Sequence, residues 1–472
     1  MVPLIISLAA GVAGGICFIL ASPSYGVWWL GLLALLPVYY VRLRWRGAAA
    51  AVGPAVFALA FAFHNGKWYF TAVADARILA VLTCLGYALL YFAVVEVAAW
   101  AGRRRPALAP LALPVLWVGV DLIRTTIPGV RHAWFPLFAH TQVNNVALLQ
   151  IASWGGVHAV TFVTLGIAAA AAHWLTRPLN PFRAAWAGLL VAAYGAIWWN
   201  GADVAAVADA GPPFGVACIQ NGPAYEVADY DYLGEYERWT DEALASSPTR
   251  PAVAVWPESF FTAYDNSEVR DAVASYAASR DVFIVYQCYE KAAGGNYNAA
   301  VLVAPSPGEV LKWRKRHPAP GERSLAPGPG EPYGVYAAPW GATGLLVCYD
   351  DHFPNEARRL AAAGARVILV PSNDHGYGDD YFYRVHMNEA IFRAAENRCA
   401  VAVAGYDGFS VITNGAGRVL GRREDHDAGF VTAVAAAGRG GAFYTRHPRV
   451  FSWLLGLAAA VVLLGGATGR RD

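Results

Sequence analysis

The chain has 472 residues, of which 57% are hydrophobic and only 15% are charged, and its formal net charge is +2. Soluble domains carry about 25% charged residues, so this composition argues against an ordinary soluble enzyme and excludes a disordered chain, a collagen and a coiled coil. The near-neutral balance also gives no electrostatic footprint for a nucleic-acid partner.

Charged residues are unevenly distributed along the chain. Residues 1–200 contain 15 of the 70 Asp, Glu, Lys and Arg residues, although they make up more than two fifths of the sequence. The first part is therefore membrane-like, whereas residues 201–472 have the charge density of a soluble protein. We place the main boundary near 200–213. The predicted segments are a transmembrane helical bundle at 1–205, an α/β domain at 213–442 and a C-terminal transmembrane helix at 448–469.

Long apolar runs predict the membrane spans. Residues 1–41 contain no charged side chain; as a helix they would extend roughly 60 Å, too long for a signal-peptide core. Turn-forming residues around Ser22-Pro23 divide this stretch into two spans. In total, apolar runs of about 17–25 residues predict eight spans, at 3–21, 27–41, 50–66, 79–101, 108–126, 147–175, 184–200 and 450–468.

Basic residues follow every second predicted span. By the positive-inside rule, these exits are cytoplasmic, and residues 201–449 then lie outside the cytoplasm. The basic residues at these exits are Arg42, Arg44, Arg46, Arg103, Arg104, Arg105, Arg177, Arg183, Arg470 and Arg471.

Residues 214–440 alternate short β-rich runs with helical stretches, which indicates an α/β layer architecture with enough strands for two sheets. The predicted strands are Val216–Gln220, Ala252–Trp256, Val282–Tyr286, Ala299–Val303, Gly344–Cys348, Val367–Val370, Ala400–Ala404, Ser410–Ile412 and Phe430–Ala433. The predicted helices are 230–246, 267–279, 354–363 and 381–398.

Three residues of this α/β region form a chemical pattern. Glu258 follows a buried strand, Lys315 lies in a basic run, and Cys348 lies at the end of an apolar strand shortly before a helix. At such a turn, backbone N–H groups and a helix dipole lower a thiol pKa and hold an oxyanion. A carboxylate can then accept the thiol proton and a lysine can stabilise the tetrahedral intermediate. Each residue alone is commonly a solvated or packing residue; the combination in this order points to thiol catalysis.

The remaining cysteines suggest no further site. The six cysteines lack the CxxC spacing of a zinc site and form no disulfide framework. They are Cys17, Cys84, Cys218, Cys288, Cys348 and Cys399.

The sequence around the three residues resembles a known family. Trp256-Pro257-Glu258, Lys315-Arg316-His317 followed by Pro320-Gly321-Glu322, and Cys348-Tyr349-Asp350 are similar to the Glu–Lys–Cys triad segments of the nitrilase (carbon–nitrogen hydrolase) superfamily. The membrane part resembles one branch of it, the bacterial apolipoprotein N-acyltransferases. The further matching segments are Ser22-Pro23, Leu116-Trp117-Val118 with Asp121 and Arg124, Gly155-Gly156-Val157, Asn296-Tyr297-Asn298 and Ser372-Asn373-Asp374.

The resemblance implies a role for each matching residue. Glu258 would be the general base, Lys315 the electrostatic stabiliser and Cys348 the nucleophile. Glu322 would orient Lys315, and the Tyr349 backbone N–H would help to form the oxyanion site. Asp350 and Asn298 are further supporting residues.

The same resemblance implies a fold and an activity. The expected architecture is a multi-pass helical membrane bundle plus a nitrilase-like αββα sandwich. The expected reaction moves a fatty acyl chain from a phospholipid, through a thioester, to the N-terminal amine of a diacylglyceryl-cysteine lipoprotein. It requires no cofactor and no metal. We expect a monomer in the bacterial inner membrane, in contact with membrane lipids, with its catalytic domain on the periplasmic side.

This sequence departs from the family pattern at three places. Asp350 stands where the family has Glu, so its shorter side chain reaches a different partner. The segment between Lys315 and Glu322 is one residue shorter, which leaves the register of Glu322 open. His375-Gly376-Tyr377-Gly378 replaces an aromatic Trp-Phe-Gly segment, in a region expected to shape lipid access.

Several alternatives remain at this point. A Cys348/His352 dyad is one, because residues four apart share a helix face. A membrane-tethered amidase, in which water resolves the thioester, would use the same triad, and a divergent N-acyltransferase would use another amine. A non-catalytic scaffold is also possible. An Asp- and His-rich set suggests a metal site, although its spacing matches no standard ligand motif; its members are Asp350, Asp351, His352, Asp374, His375, Asp379, Asp380 and His386.

Overall fold

The structure is a computed structural model that forms two compact units along the chain. The first unit comprises Met1–Ala202, Tyr377–Phe382 and His447–Asp472, and the second comprises Asp203–Gly376 and Tyr383–Arg446. The residues that the structure describes are 1–72, 77–127, 135–176, 181–222, 231–258, 267–306, 308–319, 322, 324–329 and 332–468, without the side chains of 181–190. Arg177, Gly321, Arg470, Arg471 and the side chain of Arg183 lie outside this description.

The first unit is a bundle of helices. Within its described residues, six helices are long and apolar enough to cross a membrane, and they coincide with six of the eight predicted spans. Its helices are α1 (Val2–Ala21), α2 (Trp28–Gly31), α3 (Leu36–Arg44), α4 (Ala48–Asn65), α5 (Tyr69–Ala72), α6 (Arg77–Arg104), α7 (Ala109–Thr126), α8 (Val146–Leu149), α9 (Ala152–Gly155), α10 (Val157–Leu175), α11 (Pro181–Ala206, which ends in the second unit) and α17 (Val450–Thr468).

Two predicted spans differ from what the structure has. The run at 27–41 is two short helices, α2 and α3, because Pro37 lacks a backbone N–H and favours a helix start. The run at 147–175 contains a single span, α10, preceded by two four-residue helices. Gly156, at φ +73°, separates α9 from α10 in a backbone conformation that residues other than glycine rarely adopt. The predicted count of eight spans is therefore not confirmed, although α11 covers the predicted run at 184–200.

Charged side chains inside the bundle are paired. Arg124 Nε lies 2.9 Å from Asp121 Oδ1 on the same helix, and Tyr91 donates a hydrogen bond to that carboxylate. Arg124 also donates to the Phe135 carbonyl oxygen at 2.7 Å. Pairing offsets the cost of burying these groups in an apolar helical bundle.

Segment 377–382 packs within the first unit, although the residues on either side of it belong to the second. The rings of Tyr377 and Phe382 stack with centroids 4.0 Å apart, and Phe382 contacts Trp68 at 5.1 Å. Thr71 Oγ1 donates to the Tyr377 carbonyl oxygen at 2.6 Å. Aromatic side chains are thus retained in the segment where this sequence departs from the family pattern.

The second unit is a two-sheet α/β sandwich, as expected. In its described residues, each six-stranded sheet has three adjacent parallel strands flanked by antiparallel ones, in the orders β12-β1-β2-β3-β4-β5 and β11-β10-β9-β8-β7-β6. The strands are β1 (Asp209–Gln220), β2 (Pro251–Val255), β3 (Phe283–Ala292), β4 (Gly295–Val303), β5 (Glu309–Arg314), β6 (Tyr336–Ala338), β7 (Gly341–Leu345), β8 (Val367–Asn373), β9 (Ala400–Tyr406), β10 (Ser410–Thr413), β11 (Val419–Arg423) and β12 (Gly429–Gly438).

Helices cover the sandwich, which gives the αββα layering. Tyr236 and Val273 come from two different helices and share a buried cluster with Trp256 of the first sheet. Leu360 packs against Gly344 of the second sheet, close enough that a Cβ there would lie 3.1 Å from it. The helices of this unit are α12 (Tyr232–Ser246), α13 (Ser267–Arg280), α14 (Pro354–Ala362), α15 (Asp380–Asn397, whose first turn belongs to the first unit) and α16 (Phe443–Arg446).

The strand predictions were right for the interior of the sheets and incomplete at their edges, where β12 was predicted and three other edge strands were not. All nine predicted strands are present, although β7 ends three residues before Cys348. Three further strands, β5, β6 and β11, were not predicted, and each lies at a sheet edge. Edge strands are partly exposed on both faces, so they lack the continuous apolar run that identifies a buried strand.

Candidate active site

Two of the candidate residues, Glu258 and Cys348, lie beyond the carboxyl ends of parallel strands. Glu258 follows β2 and Cys348 follows β7, and the Glu258 backbone N–H donates to the Ser372 carbonyl oxygen of β8 at 3.1 Å. This hydrogen bond joins the two sheets at the site. Ligands in parallel α/β sheets bind at the same end of the strands, so the fold brings the predicted motif residues to the expected position.

Strand alternation separates Lys315 from the rest of its basic run. Lys312 is an exposed residue of β5 that pairs with Glu309, and Arg314 pairs with Glu290 at 2.7 Å. Lys315 follows β5 directly and only 1% of it is exposed. Side chains alternate between the two faces of an extended segment, so one lysine of the run is buried while its neighbours remain solvated.

Lys315 lies between two carboxylates. Its Nζ is 2.9 Å from Glu258 Oε1 and 2.8 Å from Glu322 Oε2. Asn298 Nδ2 donates to both carboxylates, at 2.8 Å in the case of Glu322, and its Oδ1 accepts from Gln287 Nε2 at 3.0 Å. Glu322 thus lies beside the lysine despite the shorter segment between the two residues.

Cys348 occupies a strained turn between β7 and α14. Its φ is +43°, in the left-handed region, at the first residue of a 3₁₀ turn over Cys348–His352. Such a conformation costs a non-glycine residue about 1–3 kcal/mol and is common at functional sites. The thiol is 6% exposed and lies 3.5 Å from the Asn373 carbonyl oxygen.

The electrostatics of the cluster suit a thiol that loses its proton only during reaction. Burial, then the charge of Glu258, raises the pKa of Cys348 well above its usual range, so the resting thiol is protonated. Burial also raises the pKa of Glu258, against the opposing charge of Lys315. For Lys315, burial acts to lower the pKa, but the negative charge that Cys348 carries as a thiolate and the charges of Glu258 and Glu322 outweigh it and raise the pKa, so the lysine is protonated.

Asp350 braces the turn that carries the nucleophile. Its Oδ1 accepts from the backbone N–H groups of Arg316 at 3.0 Å and His317 at 2.9 Å, and its Oδ2 accepts from Trp313 Nε1 at 2.9 Å. The shorter carboxylate at this position thus reaches the chain on both sides of Lys315. Burial raises the pKa of Asp350 to about 6.

Tyr349 is buried beside the nucleophile. Its ring centroid lies 5.2 Å from that of Phe353 at an interplanar angle of 90°. The side chain therefore packs within the turn. The role predicted for its backbone N–H at an oxyanion site stays a prediction.

The dyad alternative does not match the placement of His352. The 3₁₀ turn over Cys348–His352 has about three residues per turn, so residues four apart do not share a face. His352 Nδ1 lies 3.3 Å from Asp351 Oδ1, and its ring packs 4.3 Å from that of His386. This nitrogen therefore faces a carboxylate.

Among the residues that the structure describes, two trios bring ligand-type atoms within 4.8 Å of one another: Cys348, Asp374 and His386, and Asp351, His352 and His386. Both nitrogens of His386 already contact carboxylates, Nδ1 at 2.5 Å from Asp374 and Nε2 at 3.1 Å from Asp351. Two donors bound to one tetrahedral ion at about 2.1 Å lie roughly 3.4 Å apart, so the Nδ1–Oδ1 distance fits a hydrogen bond and not shared coordination.

Sequence reasoning gave no role to several residues that build the site. Gln287 holds Asn298 across the β3–β4 strand pair, and Trp313 holds Asp350 where the end of β5 meets the cysteine turn. Sequence reasoning considered Asp374 and His386 only as possible metal ligands, although Asp374 lies in a family-like segment and His386 in a predicted helix. The sequence signal for a buried polar cluster was the histidine within that helix, since its side chain lies on the buried face.

Comparison with known proteins matches both parts of the chain. The family model described as "Apolipoprotein N-acyltransferase N-terminal domain" matches residues 14–170, and the one described as "Carbon-nitrogen hydrolase" matches residues 215–437. An amidase of solved structure from Nesterenkonia sp. is 22% identical, over 49% of this chain and 91% of its own, with a TM-score of 0.40.

Two curated relatives match along nearly the whole chain. The apolipoprotein N-acyltransferase of Geobacter metallireducens is 26% identical over 96% of this chain and 93% of its own length. That of Gloeobacter violaceus is 25% identical over 99% of this chain and 94% of its own length. With an N-terminal membrane match and a hydrolase-type match in the family's order, the chain belongs to the apolipoprotein N-acyltransferase family, a membrane branch of the carbon–nitrogen hydrolases.

Proposed function

We propose that this protein transfers a fatty acyl chain from a phospholipid, through a thioester on Cys348, to the α-amine of a diacylglyceryl-cysteine lipoprotein. The observation that carries the proposal is a buried thiol beside the Glu258–Lys315–Glu322 cluster, in a chain whose other unit is a bundle of apolar helices. Full-length likeness to apolipoprotein N-acyltransferases supports the substrate class.

In the first half-reaction, the Cys348 sulfur attacks an ester carbonyl carbon of the phospholipid while Glu258 accepts the thiol proton. The carbonyl oxygen becomes an oxyanion, which the Lys315 ammonium and the Tyr349 backbone N–H stabilise. The C–O ester bond then breaks, Glu258 returns the proton to the departing oxygen, and a lysophospholipid leaves. The acyl chain remains on sulfur as a thioester.

In the second half-reaction, the lipoprotein α-amine attacks the thioester carbonyl carbon. Glu258 accepts a proton from the nitrogen and delivers it to the departing sulfur, which regenerates the thiol and releases an amide. An amide is more stable than a thioester, so the step runs downhill. Neither half-reaction needs a metal or a cofactor, since every proton and electron pair is accounted for by the two substrates and the protein.

The supporting residues act through the three reacting groups. Glu322 and Asn298 hold Lys315 and Glu258 in register by hydrogen bonds. Asp350 fixes the backbone that follows Lys315 relative to the cysteine turn. A polar cluster satisfied in this way is pre-organised before substrate arrives.

We place the protein in the bacterial inner membrane, with the second unit on the periplasmic side. Arginines at the ends of α3 and α6, including Arg44 and Arg104, support a cytoplasmic location for those ends. All the proposed reacting groups come from one chain, which supports a monomer.

A Glu242→Cys variant lacking the native cysteines tests the orientation, because this exposed α12 position should be labelled from outside intact spheroplasts. Labelling only after lysis would show the opposite orientation.

The alternative is a membrane-tethered hydrolase of the amidase type, which the carbon–nitrogen hydrolase match favours. The two reactions share the acyl-enzyme and differ in whether an amine or water resolves it. A divergent transferase would differ only in the amine that it accepts.

The ratio of N-acyl peptide to free fatty acid among the products distinguishes these possibilities. Purified protein is incubated with phospholipid and a diacylglyceryl-cysteine peptide, and the products are resolved by mass spectrometry. We expect an N-acyl peptide, and no such product from a matched peptide whose α-amine is acetylated. Release of free fatty acid at the same rate with either peptide would contradict acyl transfer and favour the hydrolase.

A further inference from the structure

A second buried polar cluster lies beside the nucleophile. His386 is 3% exposed on α15, with Nδ1 2.5 Å from Asp374 Oδ1 and Nε2 3.1 Å from Asp351 Oδ1. Both carboxylates are themselves buried. Neither half-reaction described above uses this histidine.

The surroundings of His386 favour its charged form. Burial acts to lower the pKa of His386, but Asp374 and Asp351 outweigh it and raise the pKa well above its usual range. The neighbouring His352 ring, 4.3 Å away, has a lowered pKa because it is buried beside that charge, so it adds no second cation. Two turns along α15, Arg393 pairs with Glu389 at 3.4 Å and Glu396 at 3.0 Å.

Asp374 lies close to both this imidazolium and the thiol. Its carboxylate, Cys348 Sγ and a His386 nitrogen lie within 4.8 Å of one another, and the thiol also contacts the carbonyl of the preceding residue, Asn373. A negative charge there opposes thiolate formation, as do Glu258 and Glu322; Lys315 favours it. An uncompensated Asp374 would leave three carboxylates against one ammonium around the sulfur.

We propose that His386 is a positioning residue that neutralises Asp374, so that Cys348 can lose its proton when it attacks an acyl donor. The inference rests on the proposed thiol chemistry. It assigns a role to a histidine that touches neither substrate nor sulfur in that chemistry. Through its Nε2 contact to Asp351, the residue directly after the family-like Cys348–Asp350 segment, the same ring also ties α15 to the cysteine turn.

Alkylation of Cys348 by iodoacetamide as a function of pH measures thiolate formation without any acyl substrate. In His386→Gln, we expect the profile to move to higher pH by about one to two units, with roughly tenfold to hundredfold slower alkylation near neutral pH, because Asp374 then acts unopposed. The double variant Asp374→Asn/His386→Gln should return the profile towards that of the wild type, since the opposing charge is gone.

Controls separate charge from packing. Arg384→Gln, on the same helix and paired with Glu424 near the surface, should leave the profile unchanged. The buried thiols of Cys218 and Cys399 report folding, because they should stay unlabelled in every variant that is scored. If His386→Gln misfolds, Asp374→Asn in the wild-type background provides the second measurement, with an expected shift to lower pH.

An unchanged profile in folded His386→Gln, or a double variant no closer to wild type than the single one, would overturn the proposal. Failure of the proposed function has a different signature. The alkylation profile would shift as expected while wild-type protein formed no acyl adduct from phospholipid.

Discussion

The site contains two buried cations, each held between two carboxylates, and the two cations differ in kind. Directly after β5, Lys315 lies between Glu258 and Glu322. On α15, His386 lies between Asp374 and Asp351. A lysine in this setting stays charged across the physiological range, whereas an imidazole can lose its charge. The first cluster is suited to stabilising a reaction intermediate and the second to setting the charge around the resting thiol.

The two clusters also differ in how they are held. Asn298 and Gln287 connect the Lys315 cluster through side-chain amides, which cannot titrate. The His386 cluster is connected by the carboxylates of Asp374 and Asp351 and is continued by the His352 ring. Substitutions in the Lys315 cluster should therefore mainly change the reaction rate, and substitutions in the His386 cluster should mainly change how that rate depends on pH.

The largest expected effect follows removal of the base. In Glu258→Gln, thioester formation should slow by about 10²–10⁴-fold, the range typical of general base catalysis. Because the carboxylate must be ionised to accept the thiol proton and its pKa is raised by burial, wild-type acylation should fall as pH decreases through that pKa. The variant should lack this acidic limb in single-turnover acylation measured against pH.

Its matched control is Glu290→Gln, which alters a surface carboxylate on β3 paired with Arg314. That variant should retain both the rate and the acidic limb. An acidic limb that persists in Glu258→Gln would mean that another group is the base.

Loss of the lysine charge should come next. Lys315→Met removes the cation from between two buried carboxylates, and we expect acylation to slow by about 10²–10³-fold, as when one oxyanion-stabilising group is lost. The melting temperature of the detergent-solubilised protein should also fall, since the carboxylates lose their partner. Lys312→Met, three residues earlier on the exposed face of β5, should behave as wild type; equal losses in both variants would contradict a special role for Lys315.

A smaller effect is expected at the amide between the carboxylates. Asn298→Asp replaces a donor to Glu258 and Glu322 with a third carboxylate. The added negative charge should raise the pKa of Glu258 further and shift the acidic limb of the acylation profile to higher pH, with a loss of about 10–100-fold at neutral pH. A shift to lower pH would show that Asn298 does not act on Glu258.

The smallest expected effect concerns Asp350, which links the cysteine turn to the chain on both sides of Lys315. Asp350 has a pKa raised to about 6 by burial, so the folded protein binds its proton more tightly than the unfolded chain does. This group's contribution to stability is therefore complete below the unfolded pKa, near 4, and declines as pH rises towards 6. Between pH 4 and pH 7, the melting temperature of wild type should therefore fall by a few degrees relative to that of Asp350→Asn. A difference independent of pH would contradict this assignment.

Sequence alone predicted the parts of the site that lie in local motifs. Glu258, Lys315 and Cys348 were found because each sits in a short, recognisable segment next to a strand. Gln287 and Trp313 were not assigned roles, because their contacts arise only when β3 pairs with β4 and when the β5 end meets the cysteine turn. Pairwise contacts of this kind have no local signature.

The same distinction applies to the fold. Buried strands such as β8 were predicted from continuous apolar runs, whereas the half-exposed edge strand β5 was not. Apolar length predicted the membrane spans but overlooked the interruptions before Leu36 and at Gly156. Hydropathy reports burial in lipid, and a single proline or a glycine at positive φ decides where a helix starts within an apolar run.

The most direct measurement of the central claim is the mass of the protein after incubation with phospholipid alone. We predict an increment equal to one fatty acyl group, located on the Cys348 peptide, removed by hydroxylamine as a thioester is, and absent in Cys348→Ala. Adding a diacylglyceryl-cysteine peptide should return the protein to its original mass as the N-acyl peptide appears. Formation of that peptide by Cys348→Ala at the wild-type rate would contradict the account.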